Sequence, residues 1–451
     1  MKRSLILFAL FAGSAFAAER PYVIVGTGQT KCYDDRGEIA PPKPGQPFYG
    51  QDAQHPGLAP SYRDNGDGSV TDLNTGLVWV KARGEKIAWD AAVAGAPECR
   101  VGGFSDWRMP TIKELYSLIN FTGGCHGTVA NSKPYLDTKY FDFAYGDESK
   151  GVRIIDCQDW SATQYIGKTM SGNPTVFGVN FADGRIKGYP KVFPGGRGAL
   201  MYVRYVRGNP AYGRNDFRDN GDGTVTDRAT GLVWQKADSG KGLNWEQALA
   251  YAASLKLAGH IDWRLPNAKE LQSIVDYTRA PSVTQSPAIS PLLQVTKLSD
   301  GEYPFFWTST THLDGPPDRQ GGAAIYIAFG RATGWMQPRG GGGPPGARGP
   351  GPEGPGMGGP RFGGPGQGRP PGFGQPPSGG SGTYQLFDVH GAGAQRSDPK
   401  AGDPQNFPHG RGPQGDVIRI YNFVRVVRSE ASGGAGLLGL QASPVDSSMN
   451  R

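Results

Sequence analysis

The chain has 451 residues, of which 71 are glycine, 38 are proline and only 37% are hydrophobic, so much of it must be turn or loop. The formal net charge of +7 falls to about +2 once Lys2, Arg3 and the Gly/Pro-rich residues 338–383 are set aside, too little for a steering field. Nucleic acid is therefore not expected as a partner.

The N-terminus has the pattern of a secretory signal peptide. A basic pair at 2–3 precedes an apolar run at 5–11 and an Ala-Phe-Ala triplet at 15–17, which predicts cleavage before Ala18. A membrane anchor is the alternative, but the run is far shorter than the ~20 residues that a spanning helix needs. We expect residues 1–17 to be removed and the protein to be exported to the periplasm, the outer surface or the medium, with no integral membrane segment.

Four cysteines lie in the first half of the chain: Cys32, Cys99, Cys125 and Cys157. In an oxidising compartment disulfides are the default, and four thiols allow three pairings between which the sequence does not choose. No Cys/His spacing suits zinc.

Most of the chain is one unit written twice. Residues 63–82 and 218–237 differ at four of twenty positions, and 103–115 returns as 259–271. Later landmarks recur in the same order: 159–163 as 306–310, 183–189 as 329–335, and 202–207 as 423–428. The fourth landmark matches Arg185 with Arg331 and Tyr189 with Trp335. Because the period is that of a whole domain, the pattern indicates a tandem duplication.

Each copy opens with turn chemistry and continues with two helices. Asn-Gly and Asp-Gly pairs around the Ser69–Asp72 segment predict tight hairpins. Capping boxes predict helix starts at Asn244 and Thr111, and the helix after Thr111 has an apolar stripe. The closing strand alternates valines, expected inside, with arginines, expected outside. Each module is thus predicted to be α+β, with two helices, a small antiparallel sheet and long loops.

The predicted organisation follows from these boundaries. The signal peptide at 1–17 is followed by an N-terminal extension at 18–60, a first module at 61–208 and a second at 215–430, with a flexible tail at 431–451. Residues 338–383 interrupt the second module and are almost entirely Gly and Pro. A collagen register fails at Pro352, which favours a disordered insertion over a triple-helical stalk.

Catalytic chemistry is not indicated. No histidine recurs between the copies at the matched landmarks, and no nucleophile is paired with a base there, so we expect a non-catalytic protein. The acidic segment in each copy favours hairpin turns held by Asx hydrogen bonds. A structural calcium site is the alternative, with Asp64, Asp67, Asp72, Asp219, Asp222 and Asp227 as its ligands; no other cofactor is expected.

Two further sets of residues stand out. The tryptophans and arginines of the Asp-Trp-Arg motifs are expected to be structural, with the Trp in the core and the Asp–Arg pair holding the loop before the second helix: Trp107, Arg108, Trp263 and Arg264. Cationic and aromatic residues on a late predicted loop are the best ligand-binding candidates: Arg185, Lys187, Tyr189, Arg331 and Trp335.

Seven short strings occur in a fixed order: DNGDGTVTD, TGLVW, DWRLP, KEL, Trp-(Ser/Thr)-x-Thr, Gly-Arg and Val-Arg-x-Val-Arg. Together they resemble the C-terminal domain family of the Legionella collagen-like adhesin. The resemblance covers 63–207 and 218–428. It implies a C-type-lectin-like fold shared with formylglycine-generating enzymes, and an adhesive role with sulfated polysaccharide as ligand. The sequence lacks three features of these related proteins: the calcium–sugar motifs of true C-type lectins, the adhesin's collagen repeat, and a catalytic cysteine pair in the second copy.

The leading hypothesis is an exported adhesion protein that recognises acidic or sulfated polysaccharide at the cell envelope. One alternative is a structural or assembly component of the envelope that binds a surface protein. A second alternative, ranked last, is an enzyme of the formylglycine-generating type.

Overall fold

The computed structural model describes residues 20–170, 172–193, 196–315, 320–337 and 383–430. The predicted signal peptide (1–17), the predicted tail (431–451) and all but the last residue of the predicted insertion (338–383) lie outside the described residues.

The N-terminal extension and the first copy contain nine strands and two helices. The extension holds β1 (Cys32–Tyr33) and β2 (Glu38–Ile39). The first copy follows with β3 (Tyr62–Asp64), β4 (Ser69–Asp72), β5 (Leu77–Val80), α1 (Trp89–Gly95), α2 (Ile112–Ser117), β6 (Gln158–Thr169), β7 (Asn173–Asn180), β8 (Arg185–Pro190) and β9 (Val206–Gly208).

The second copy repeats this order with additions. Its elements are β10 (Phe217–Asp219), β11 (Thr224–Asp227), β12 (Leu232–Gln235), α3 (Trp245–Ser254), α4 (Ala268–Ser273), α5 (Pro281–Thr284), β13 (Phe305–His312), β14 (Ala323–Ala328), β15 (Thr333–Met336), β16 (Gln385–Asp388), β17 (Gln395–Pro399) and β18 (Val427–Ser429). The added β15 and β16 pair with each other and flank the Gly/Pro-rich stretch.

Each copy has its own four-stranded antiparallel sheet, in the orders β3-β4-β5-β9 and β10-β11-β12-β18. The first hairpin turns at Gly66 and Gly68, whose φ angles of 77° and 85° are unfavourable for residues with a Cβ. The closing strand of each copy returns to pair with the third, so the ends of the repeated unit are hydrogen-bonded to its beginning.

A six-stranded sheet joins the two copies, in the order β13-β14-β17-β8-β7-β6. The join is the antiparallel pairing of β17 with β8, in register at Gln395 and Ile186. Since the order reads the same from either edge, the two copies are related by a pseudo-two-fold axis between β8 and β17. The edges are the equivalent strands β6 and β13.

Strand register fixes which residues are equivalent. In the first copy Val179 pairs with Ile186 and Gly178 with Lys187. In the second copy Ile327 pairs with Gln395 and Tyr326 with Arg396. The counterpart of β8 is therefore β17, which follows the insertion, and not β15. The sequence-based pairing of Arg185 with Arg331 and of Tyr189 with Trp335 is wrong, because a local Gly-Arg pattern recurs at the start of the inserted hairpin.

Two reciprocal lysines cross between the copies at the helices. Lys113 on α2 donates to the carbonyl oxygen of Ser273 at 2.6 Å, and Lys269 on α4 donates to that of Ser117 at 2.7 Å. Lys269 is only 4% exposed. Each ammonium therefore satisfies a carbonyl at the C-terminal end of the other copy's helix, where positive charge is favoured.

The main hydrophobic core runs through both copies. Leu115 and Ile119 from the first copy and Leu271 and Val275 from the second are buried in one cluster, as the apolar stripe predicted. The capping boxes expected at Thr111 and at Asn244 are present. Neither copy buries this core alone.

The prediction of two lectin-like α+β modules is wrong. The described residues form five sheets of up to six strands, while their five helices span only four to ten residues each. The capping and stripe patterns located the helices correctly, but the helices are short. The largest sheet belongs to both copies together and not to either module.

Two further expectations fail. The first arginine of each closing motif points inward: Arg204 and Arg425 are 0% exposed and donate to backbone carbonyls of their own copy, Arg204 to Val80 and Arg425 to Gln235. Hydrogen bonds to carbonyl groups compensate for burying the guanidinium. The four cysteines are free thiols, with Cys32 and Cys157 buried, so the disulfide expectation is wrong for this structure.

Candidate functional site

Four of the five ligand-binding candidates lie on strands and not on the exposed loop expected from the sequence. Arg185, Lys187 and Tyr189 belong to β8, beside the pseudo-two-fold axis, and Trp335 belongs to β15 outside the six-stranded sheet. Arg331 precedes β15 and is held by Glu302, with Nε 3.1 Å from the carboxylate. Among the described residues no hydrogen bond or ion pair joins Arg331 or Trp335 to the β8 group.

A charged cluster surrounds the β8 residues at the seam between the copies. Arg185 forms ion pairs with Asp183 at 3.0 Å and with Asp314 at 2.7 Å. Lys187 lies 3.7 Å from Asp183. Arg396 on β17 pairs with Asp416, which also accepts from His390 at 2.7 Å. The cluster therefore contains side chains from both copies.

Lys187 and Arg396 are equivalent positions on the two central strands. Their side chains are 16% and 12% exposed, so both are largely buried at the seam. Arg396 was missed by the sequence analysis. The Pro190-Lys191 and Pro399-Lys400 pairs, which end the two central strands, were the available signal for it.

Several donors in this cluster are buried without a hydrogen-bond partner among the described residues. They are Nε and Nη1 of Arg396 and the Tyr189 hydroxyl. An unpaired buried donor costs about 1–3 kcal/mol. An anionic group that reached these donors would satisfy them.

The electrostatics of the cluster favour an added negative charge. Burial, and then the neighbouring Arg396, lowers the pKa of Lys187 to about 7. Burial, and then Arg185, lowers the pKa of Arg396 to about 10. Burial opposes the ionisation of Asp183, yet Arg185, Lys187 and Arg396 together hold its pKa below the ordinary value. Burial is the larger cause for both cations, and an incoming anion would favour their charged forms.

The acidic segments are committed to the hairpins. Asp64 accepts from the Gly66 N–H at 3.0 Å, and Asp67 accepts from Ser69. The equivalent Asp219 and Asp222 accept in the same way from Gly221 and Thr224. Asp72 and Asp227 are buried and accept from backbone N–H groups two residues further along the chain, those of Asn74 and Ala229. Within the described ranges no group of three His, Cys, Asp or Glu side chains is arranged to hold a metal ion.

The Asp-Trp-Arg motifs connect the closing strand to the second helix. Trp107 and Trp263 are each 3% exposed. Arg108 and Arg264 form two hydrogen bonds each with Glu114 and Glu270, the capping-box glutamates. The motif aspartates pair instead with the second arginine of the closing strands, at 2.6 Å for Asp106–Arg207 and 2.9 Å for Asp262–Arg428. The expected Asp–Arg pair within the motif does not form.

The chain matches the Lcl C-terminal domain at residues 68–207 and again at 223–339. The two matches cover more than half of the sequence. The chain belongs to the Lcl C-terminal domain family. The family is one of adhesin-like surface domains and is not known to be catalytic. No match to a curated protein or to a solved structure was found. In the described part of this Lcl-type chain, no helix has the length and apolar character to cross a membrane.

Proposed function

We propose that this protein is an exported, non-catalytic adhesin that binds acidic or sulfated polysaccharide at the seam between its two copies. The observation that carries the proposal is the meeting of Lys187 and Arg396 across the pseudo-two-fold axis, with two Arg396 donors unpartnered among the described residues. Tyr189 supplies a further hydroxyl donor at the same place. A sulfate or carboxylate is the group that such donors recognise.

The state of the thiols supports a non-catalytic role. Burial raises the pKa of Cys125 to about 11 and that of Cys157 to about 12, which disfavours the thiolate that nucleophilic catalysis needs. Cys157 also donates to the Ile154 carbonyl at 3.2 Å, an arrangement typical of a structural cysteine.

The experiment is binding of a heparin-type polysaccharide to the full chain, measured by calorimetry at several salt concentrations. We expect affinity to fall as salt rises, and Arg396→Gln to weaken binding about 10-fold or more, since a hydrogen bond to a charged group contributes about 1.5–3 kcal/mol. Lys168→Gln is the matched control, because it removes one positive charge from an exposed lysine on β6. Equal loss in the two variants, or no binding at low salt, would refute the proposal.

A further inference from the structure

The N-terminal extension lies in a groove on the second copy. Residues 20–58 of this extension form the arm. In each copy the groove is the surface along the edge strand, between the two helices. Asp52 of the arm is 3% exposed and accepts from Thr310 of β13 at 2.5 Å and from Thr27 at 2.8 Å. The Gln29 side chain bonds both the N–H and the carbonyl of Thr311, at 3.0 and 2.6 Å. The arm thereby covers the edge of the sheet.

At the other end of the same groove the arm covers an aromatic–lysine pair. Phe48 lies 6.2 Å from the Trp245 ring, and the Lys400 ammonium stands 3.8 Å above that ring. Lys400 also donates to the carbonyls of Tyr33 and Asp34, at 3.0 and 3.1 Å. As a result Trp245 is 0% exposed and Lys400 is 1% exposed.

The first copy repeats these anchor points along β6. Thr163 accepts from the N–H of Ile112 at 2.9 Å, as Thr310 accepts from Ala268 at the same distance. The Lys191 ammonium stands 4.0 Å above the Trp89 ring, as Lys400 stands above Trp245. The anchors are therefore equivalent in chemistry and in place.

Helix α5 of the second copy packs against β6 near Gly167, but the part of the first copy's groove around Thr163 is left open by the described residues. Every residue of β13 is buried, whereas Ala162, Gln164 and Ile166 of β6 are exposed. A cavity of about 740 Å³ opens beside Thr163, lined among others by Arg108 and Tyr277. That volume lies within the range of pockets that bind small ligands, about 300–1,000 Å³. A bare edge strand is a template for a further chain.

A backbone donor in this cavity is also left over. In the occupied groove the Phe121 N–H donates to the Thr27 carbonyl of the arm at 2.8 Å. Its equivalent is the N–H of Tyr277, which has no backbone or side-chain acceptor among the described residues. The cavity thus retains a hydroxyl and an N–H where the arm is bound in the other copy.

The length of the connecting segment explains why one groove is filled and the other is not. The segment before the second copy is the short linker at 209–216, whose Gly213 carbonyl accepts from Lys113 at 3.0 Å. The arm makes the matching contact through the Gly26 carbonyl, which accepts from Lys269 at 3.1 Å. The arm then continues into its groove, whereas the linker turns into β10 at Phe217.

We infer that the groove of the first copy binds an extended segment of a separate protein that imitates the arm. The segment would place a carboxylate against Thr163, near Arg108, and a carbonyl on the Tyr277 N–H. Further along it would offer an aromatic ring to Trp89 and a carbonyl to Lys191. The arm contacts β13 through the side chains of Asp52 and Gln29, so a segment that imitates it would offer a carboxylate and an amide to the edge strand.

The test is titration of the full chain with a synthetic peptide of residues 20–58, followed by calorimetry. We expect one peptide per chain, with affinity reduced about tenfold or more by Lys191→Gln and by Thr163→Val, since each removes a charged hydrogen bond. Thr310→Val, the same change in the other copy, should leave the affinity within about twofold.

Four results of the peptide titration would overturn the inference. They are absence of peptide binding at millimolar concentration, equal affinity in Lys191→Gln and the unchanged chain, loss of affinity in Thr310→Val alone, and displacement of the peptide by a heparin-type polysaccharide. Self-association of the chain that Thr163→Val abolishes would also overturn it, because the occupant would then be the arm of a second copy. Lys191→Gln keeps the test valid if Thr163→Val disturbs α2, since the Lys191 side chain lies over the Trp89 ring and its hydrogen bonds to Pro174 and Ala199 are made by the backbone.

Discussion

The reciprocal lysines make folding stability depend on pH in a defined direction. Burial lowers the pKa of Lys269 to about 7, whereas a lysine in the unfolded chain keeps a pKa near 10.4. Between pH 7 and pH 9 the folded chain therefore loses a proton that the unfolded chain retains. Stability rises with pH wherever the unfolded state binds more protons, so this lysine makes the free energy of unfolding increase across that window.

The magnitude follows from the same linkage. With about 1.36 kcal/mol for each pH unit between the two pKa values, Lys269 contributes an increase of about 2 kcal/mol from pH 7 to pH 9. Lys187, with a pKa of about 7, and Lys113, with a pKa of about 8, add to the increase with the same sign. The window ends at pH 9 because burial raises the pKa of Tyr212 above its ordinary value, and such tyrosines reverse the trend at higher pH.

The assay is urea unfolding at pH 7, 8 and 9 at constant ionic strength, followed by tryptophan fluorescence. We expect Lys269→Met to reduce the rise in unfolding free energy by about 2 kcal/mol relative to the unchanged chain. Lys168→Met serves as the exposed control and should leave the rise as it was. If Lys269→Met and Lys168→Met give the same pH dependence, the Lys269 ammonium is not buried between the copies.

Three other outcomes are expected. Arg425→Met should lower the unfolding free energy by about 3 kcal/mol in thermal melts, because it leaves buried carbonyls unpaired. Arg428→Met, which loses only a pair with the exposed Asp262, should lower it by about 1 kcal/mol or less. Equal effects of the two changes would contradict the inward position of Arg425. Asp52→Ala should speed tryptic cleavage of the arm at Lys31, Arg36 and Lys43, with Asp34→Ala as the control and an unchanged cleavage rate as the contrary result. Alkylation of the native protein followed by mass spectrometry should modify Cys99 before Cys32, Cys125 and Cys157, whose pKa values burial raises; protection of Cys99 together with a second cysteine would indicate a disulfide.

The repeated sequence motifs predicted the duplication and the local structure within each copy. The capping boxes at Thr111 and Asn244 and the apolar stripe through Leu115 work through contacts a few residues apart, which a sequence displays directly. The hairpin glycines act in the same short range. Periodicity could not set the length of the helices, because α2 ends after six residues where Ser117 meets Lys269 of the other copy.

The arrangement of the two copies relative to each other could not be predicted from such local sequence patterns. β17 is separated from β14 by the inserted hairpin and the Gly/Pro-rich stretch, so a Gly-Arg pattern close to β14 took its place in the comparison. Arg396 consequently escaped notice, although it is the partner of Lys187 at the seam. Arg204 was assigned to the surface because a charged residue in an alternating strand is normally exposed, and only the carbonyls around it reveal otherwise.

The pseudo-two-fold axis between β8 and β17 has a consequence for proteins that carry this unit once. An interface in which equivalent residues face each other is isologous, and it closes on itself with two identical subunits. Lys113 and Lys269, or Ile186 and Gln395, would then be one residue from each subunit of a homodimer. A single-copy relative is expected to assemble as such a dimer with both grooves alike. Fusion into one chain allows one groove to bind the chain's own arm while the other groove stays open for a binding partner.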